Sequence, residues 1–191
     1  SLAQLLSSEK NAYALGNIIF DNFPQDIIWT SDGVVDPHIW MDMSLWARCI
    51  PVIVEQLSKA SPCNAEEFKF SGEYLLQDLQ KKHNEYRELL QSIPQKKRFL
   101  VTSHDAFHYF TRAYLSEEEE VKQGTWMNRC QAPEGLAPES QLSGFDIERV
   151  VLHLVKYHIG VIFPESNVSS DALKKIIDSC ARKQLEITLA K

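Results

Sequence analysis

The sequence predicts an α/β protein whose second half is a parallel sheet flanked by helices, and three observations carry that expectation. Two runs of unbroken apolar residues, Phe99-Leu100-Val101 and Gly160-Val161-Ile162-Phe163, have the length and continuity of strands buried on both faces. A segment with helical spacing follows each of them, and a third strand starts within Leu185-Glu186-Ile187-Thr188-Leu189. Strand, helix, strand, helix, strand is the pattern of parallel strands joined by helical crossovers and covered on both faces.

The elements follow in order. Residues 2–20 place Leu2, Leu5, Leu6, Tyr13 and Leu15 at helical intervals, giving one or two helices. Asp26-Ile27-Ile28-Trp29 is a short apolar run closed by the turn residues Thr30-Ser31-Asp32-Gly33. Pro37 biases Asp36 toward an extended backbone and leaves the residues after it free to enter a helix. Residues 43–59 carry Leu45, Trp46, Ile50, Ile53, Val54 and Leu57 at helical spacing, with Pro51 at a break or kink. Asn64 and Glu67 form a capping-box signature that opens the longest regular segment. There Phe68, Leu75, Leu76, Leu79, His83, Tyr86 and Leu90 make a stripe, with Lys81, Lys82, Glu85 and Glu88 on other faces. That helix runs about seven turns, roughly 40 Å, and Pro94 ends it. Phe107, Tyr109, Phe110, Tyr114 and Leu115 belong to the helix after the first strand. Glu117 to Glu120 reads as a solvated acidic run, and residues 122–144 as an irregular connection. Asp146–Tyr157 is a helix with Ile147, Val150, Val151, Leu154 and Val155 inward, and Ser170–Arg182 is another.

Composition narrows the classes. The 191 residues are 44% hydrophobic and 24% charged, as in an ordinary globular protein, and the net charge of −6 argues against a nucleic-acid partner. Lys96-Lys97-Arg98, the densest basic cluster, reads as a solvated helix-to-strand connection. No apolar stretch approaches the roughly 18 residues a membrane span needs, and no signal peptide is visible in the chain. Cys49, Cys63, Cys130 and Cys180 lack CxxC spacing, against a zinc ribbon or thioredoxin-type site, and three disulfide pairings stay open in an oxidising compartment. The hydrolase, nucleotide and metalloprotease signatures are missing and Cys130 has no nearby histidine, so the expectation is a protein that is not an enzyme.

Two histidines stand out. His104 lies where a parallel strand ends and a helix is to begin, the edge at which open α/β sheets bind ligands. Asp105 could orient it or cap the helix. His38 sits in Asp36-Pro37-His38-Ile39-Trp40-Met41-Asp42, with two carboxylates near it and Trp40 placed to shield a site from water. Neutral imidazole ligates zinc, iron and manganese, and a neighbouring carboxylate usually fixes its orientation. Two such settings far apart in sequence suggest metal capture between two lobes. His83, His108, His153 and His158 read as core, structural or surface histidines, although His108 follows His104 by one helical turn.

At these residues the chain resembles a known family. Asp36-Pro37-His38-Ile39-Trp40 and His104-Asp105-Ala106-Phe107 with Tyr109-Phe110 and Tyr114 look like the two histidine segments of the metal-binding proteins of bacterial zinc, manganese and iron ABC importers. Gly135-Leu136 through Ile147 resembles the region after them, with Glu139-Ser140-Gln141 departing from its Glu-Pro-Ser, and Phe163-Pro164-Glu165 resembles its strand end. The stretch from Trp126 to Cys130 is most similar to the chlamydial iron-binding branch. The resemblance implies two α/β lobes and a long linking helix. Residues 1–62 would be the remainder of the N-terminal lobe, 63–94 the linking helix and 95–191 the C-terminal lobe. It implies a periplasmic carrier holding iron, zinc or manganese as cargo through His38 and His104, with Asp36, Trp40, Asp105 and Glu165 around them. The partner would be the membrane permease of an ABC transporter; an adhesin that ignores metal is the alternative. The family's first and fourth ligands have no counterpart in the chain. Metal binding by two histidines alone should therefore be weak, and a truncated first lobe could self-associate through exposed core.

Overall fold

The computed structural model describes residues 12–30, 33–133, 143–165 and 170–190. The expectations for Leu2, Leu5, Leu6, Ser31, Asp32, Gly135, Leu136 and residues 139–141 lie outside the described residues. The chain divides into two compact units, Ser1–His83 and Asn84–Lys191. Among the described residues no helix is long and apolar enough to cross a membrane.

In the first unit, helix α1 (Leu15–Asn22) buries Ile19 and leads through a 3-10 turn at Pro24–Asp26 to the buried Ile27 and Ile28. The chain then doubles back: Thr30 N–H donates to Val34 O at 2.8 Å, Trp29 bridges Val35 antiparallel, and Gly33 takes the positive φ of 72° that such a turn needs. Asp36 N–H bonds Ile28 O at 2.9 Å, so this loop fixes where the Asp36-Pro37-His38 segment begins. Helices α2 (Met43–Ala47) and α3 (Ile50–Ala60) follow, and Pro51 sits in the first turn of α3. Its missing N–H costs nothing there, which is why the helical run breaks just before it. Leu45 and Ile50 are buried as the spacing predicts, but Ile53 and Leu57 are exposed.

Helix α4 spans Ala65–Gln91, and the boundary between the units falls within it. Asn64 lies in the 3-10 turn ahead of it and donates to Ser61 Oγ at 3.1 Å. Its predicted stripe is only partly covered, since Phe68, Leu76, Leu79, His83 and Leu90 are half-buried and Leu75 and Tyr86 are exposed. The one buried α4 residue is Gly72, and a Cβ built on it would lie 2.4 Å from Val54 Cγ2. Glycine lets α3 approach α4 at that point.

The second unit holds the sheet. Strand β1 (Leu100–Val101) pairs in parallel with β2 (Cys130–Gln131), and β3 (Val161–Ile162) pairs in parallel with β4 (Thr188–Leu189). A parallel bridge from Thr102 to Phe163 joins the pairs, with Phe163 N–H on Val101 O at 2.8 Å, so the lateral order is β2-β1-β3-β4. Helices α7 (Gly144–Tyr157) and α8 (Ser170–Arg182) cover one face, where Val101, Ile162, Val150, Leu154 and Ile176 form the core. Among the described residues the expected cover on the other face does not extend to β3, where Val161 and the following Phe163 are exposed. Strand β2 falls inside the segment read as irregular.

Between β1 and β2 run α5 (His108–Phe110), a π-helical turn at Thr111–Leu115, and α6 (Glu118–Gln123). Arg87 donates to Ala113 O at 3.0 Å and Gln91 to Tyr114 O at 2.9 Å, so the last turns of α4 satisfy carbonyls of the π-helical turn. The acidic run and Arg98 are not simply solvated. Arg98 and Arg129 are 4% and 3% exposed, and such charges require partners. Glu117 pairs with Arg98, and Glu120 receives Arg129 at 2.5 and 2.8 Å. Burial alone would raise the Glu120 carboxyl, but hydrogen bonds from Arg129 and the Glu117 backbone hold it below its ordinary range. None of the four cysteines is in a disulfide.

Two predictions follow from this packing. Gly72→Ala should destabilise the protein by about 1–3 kcal/mol in urea denaturation, because the stiff Val54 side chain must move and the helix-propensity gain is smaller. An unchanged or raised midpoint would contradict that close approach. His153 stands against Phe99 and Tyr157 with its Nε2 buried and unpartnered among the described residues. Burial first and Lys156 second lower its pKa from 6.5 to about 4. The unfolded chain therefore takes up this proton before the folded one does. Stability should be full above 6.5 and fall as pH drops toward 4. Denaturation midpoints across that range should show the slope in the parent and a flatter one in His153→Gln.

Candidate metal site

Parallel strands point their carboxyl ends to one edge, and here the connections leave β1 and β3 in opposite directions. β1 leads to β2 on one side and β3 to β4 on the other. Such a switch point is where open α/β sheets place their ligands. Ser103 and His104 follow β1, and Pro164 and Glu165 follow β3.

The two loops meet through side chains. Glu165 Oε1 lies 2.7 Å from His104 Nδ1 and accepts the His104 backbone N–H at 3.3 Å. In return Glu165 N–H donates to Ser103 Oγ at 3.1 Å, while Thr102 Oγ1 donates to His104 O at 2.9 Å. His104 and Ser103 are buried, and the Glu165 side chain keeps 22% of its surface.

The first unit repeats the device at His38. Asp36 Oδ1 accepts the His38 backbone N–H at 2.9 Å and lies 2.7 Å from His38 Nδ1, with Asp36 wholly buried and His38 8% exposed. Here the geometry is local. Pro37 holds Asp36 extended, and Ile39 N–H to Pro37 O at 2.9 Å turns the chain into the 3-10 turn Ile39–Met41. Trp40 packs edge-on against the His38 ring at 5.3 Å and is half exposed. At the far end Asp42 caps α2, accepting from Ser44 N–H at 2.9 Å and Leu45 N–H at 3.4 Å, with His83 Nδ1 at 3.6 Å.

An ionised carboxylate cannot donate, so Nδ1 carries the proton in both histidines and the neutral ring has its lone pair on Nε2. That tautomer, backed by a carboxylate, is the usual state of a metal-ligating imidazole, and the residues present fit a transition metal in this respect. The carboxylate on His104 Nδ1 is that of Glu165, and Asp105 is half-buried beside it. His108 opens α5 while His104 lies in the preceding loop, so their spacing does not put them on one helical face. His108 instead faces Trp126, and His158 is exposed. Among the described residues no group of three or more His, Cys, Asp or Glu is placed to hold a metal ion. Thr102 and Ser103 were not singled out from sequence, and nothing in their spacing marks them. Glu165 came only from the resemblance, its one local signal being a carboxylate directly after an apolar strand and a proline.

The family model described as the periplasmic zinc-uptake complex component A matches residues 4–189. The metal-binding protein YtgA of Chlamydia muridarum is 42% identical over 165 residues, covering 86% of this chain and 50% of that protein. The manganese-binding lipoprotein MntA of Bacillus subtilis is 28% identical over 187 residues, 97% of this chain and 56% of that protein. The crystal structure of Fe(III)-bound YtgA from Chlamydia trachomatis superposes with a TM-score of 0.93 at 36% identity, over 100% of this chain and 66% of that one. The chain thus spans about half the length of the curated relatives it matches.

Removing the Asp36 carboxylate leaves two buried N–H groups without their acceptor. Asp36→Ala should lower stability by about 1–3 kcal/mol in urea denaturation, and Asp36→Asn, which keeps an acceptor oxygen, should recover most of it. Equal stability of the alanine variant and the parent would contradict the geometry.

Proposed function

Because the chain belongs to the family of the periplasmic zinc-uptake component A, we propose that it serves as metal-carrying chain of a transition-metal ABC importer, with His38 and His104 as ligands of the carried ion. The observation that carries this reading is the paired carboxylate clamp: Asp36 on His38 and Glu165 on His104, each at 2.7 Å from Nδ1. Two histidines built alike, on unrelated local structures, are better explained by a shared chemical task than by packing. Packing alone would accept either tautomer.

The cargo is a transition metal for which imidazole nitrogen is a fitting donor: zinc, iron or manganese. Names of the relatives span all three. The role is carriage and not catalysis, since the reading needs no nucleophile or general base. A membrane permease is the partner that receives the ion, and the periplasm of a Gram-negative envelope is where the transfer takes place. Trp40 and Asp105 border the two histidines and shape access to them.

Two imidazole nitrogens are the donors this reading assigns, and each should carry its own share of the affinity. Zinc titration against a chromophoric chelator should show His38→Ala and His104→Ala each binding about tenfold more weakly than the parent chain. His158→Ala should change nothing. Binding indifferent to both His38 and His104 would overturn the ligand assignment.

A further inference from the structure

We propose that Ser103 is a positioning residue for metal capture: its hydroxyl tethers Glu165 so that the Glu165 carboxylate keeps His104 in the Nδ1–H tautomer. The inference rests on the reading of His104 as a ligand and deepens it.

The argument starts from the ladder between β1 and β3. Phe163 N–H donates to Val101 O at 2.8 Å. Two residues further on along both chains, Glu165 N–H donates to Ser103, but to its side-chain Oγ, at 3.1 Å. Ser103 thus supplies one more rung after the backbone carbonyls have ceased to do so, and it is wholly buried. This rung fixes the backbone of Glu165, and the carboxylate of the same residue returns to His104, the neighbour of Ser103. Glu165 is held at two points by two consecutive residues of the other loop.

A comparison within the molecule shows why the tether matters. Asp36 is wholly buried and two residues from His38, so a tight turn is enough to keep it on the ring. Glu165 reaches His104 from 61 residues away, and its side chain retains 22% exposure. Water competes for a carboxylate in that position, and a free glutamate side chain has rotamers to lose. An immobilised backbone removes part of that cost before the metal arrives. Among the described residues the Ser103 hydroxyl is the group that bonds the backbone N–H of Glu165. An alanine there would keep the strand and lose the tether.

The test uses the full chain with 15N-labelled histidine, metal-free and alkaline enough for neutral rings, with the tautomer of each ring read from two-bond 1H–15N spectra. The parent should show His104 and His38 as Nδ1–H. In Ser103→Ala, His104 should shift toward the Nε2–H form that histidine prefers in water, while His38 stays unchanged and His153, packed in the same unit as Ser103, keeps its signal and reports an intact fold. Zinc(II) affinity, followed at the His104 ring, should fall about tenfold. Glu165→Ala should reproduce both effects, and Glu165→Gln, which keeps an acceptor oxygen, should retain the tautomer. An unchanged His104 tautomer in Ser103→Ala and Glu165→Ala overturns the inference, as does a changed tautomer with unchanged zinc affinity. His104→Ala separates the two levels: if zinc binding survives it, the ligand reading itself fails. If binding is lost in His104→Ala but Ser103→Ala matches the parent, only the positioning role fails.

Discussion

One carboxylate oxygen that receives two N–H groups of the same histidine fixes both the direction of the ring and the nitrogen that carries its proton. The chain makes this arrangement twice, by different means. At His38 the means are local: Pro37 keeps Asp36 extended, and the turn that follows folds the imidazole back onto it. At His104 they are long-range, because Glu165 reaches the ring only when β3 lies beside β1. In both places the ordering cost of the ring is met by folding and not by the ligand, which is the physical content of a preformed donor.

The rest of the second unit serves that adjacency. The core of Val101, Ile162, Val150, Leu154 and Ile176 presses α7 and α8 onto the strands whose ends carry His104 and Glu165. On the way from β1 to β2, two nearly buried arginines are neutralised by Glu117 and Glu120, so the chain can return to the sheet beside β1 without an unpaired charge. The connections of β1 and β3 run to opposite sides, so Ser103, His104 and Glu165 follow adjacent strand ends. Topology thus brings His104 and Glu165 to one edge of the sheet.

Much of this was legible in the sequence. Apolar continuity marked β1 and β3, the 3.6-residue pattern marked α7 and α8, and Pro51 marked the break before α3. The histidine segments were visible because a strand end and an Asp-Pro-His turn are unusual places for that residue. Strand β2 was not legible. It is two residues long, Cys130 and Gln131, and exists because β1 offers it a partner. Periodicity cannot register pairing that only tertiary contact creates. The acidic run failed for a related reason: charge patterning sees Glu117 and Glu120 but not the depth at which Arg98 and Arg129 lie. Ser103 and Glu165 are 62 residues apart, and no local rule links a hydroxyl to an amide at that distance.

In the proposed function the carboxylate-held histidines, His38 and His104, are the ligands of the carried ion. Zinc(II) titration of the 15N-histidine-labelled chain, following all six rings at once, tests it most directly. The Nε2 signals of His38 and His104 should move with added zinc while their Nδ1 protons persist, and His83, His108, His153 and His158 should stay in place. Zinc-dependent shifts at those four, with His38 and His104 unmoved, would contradict it.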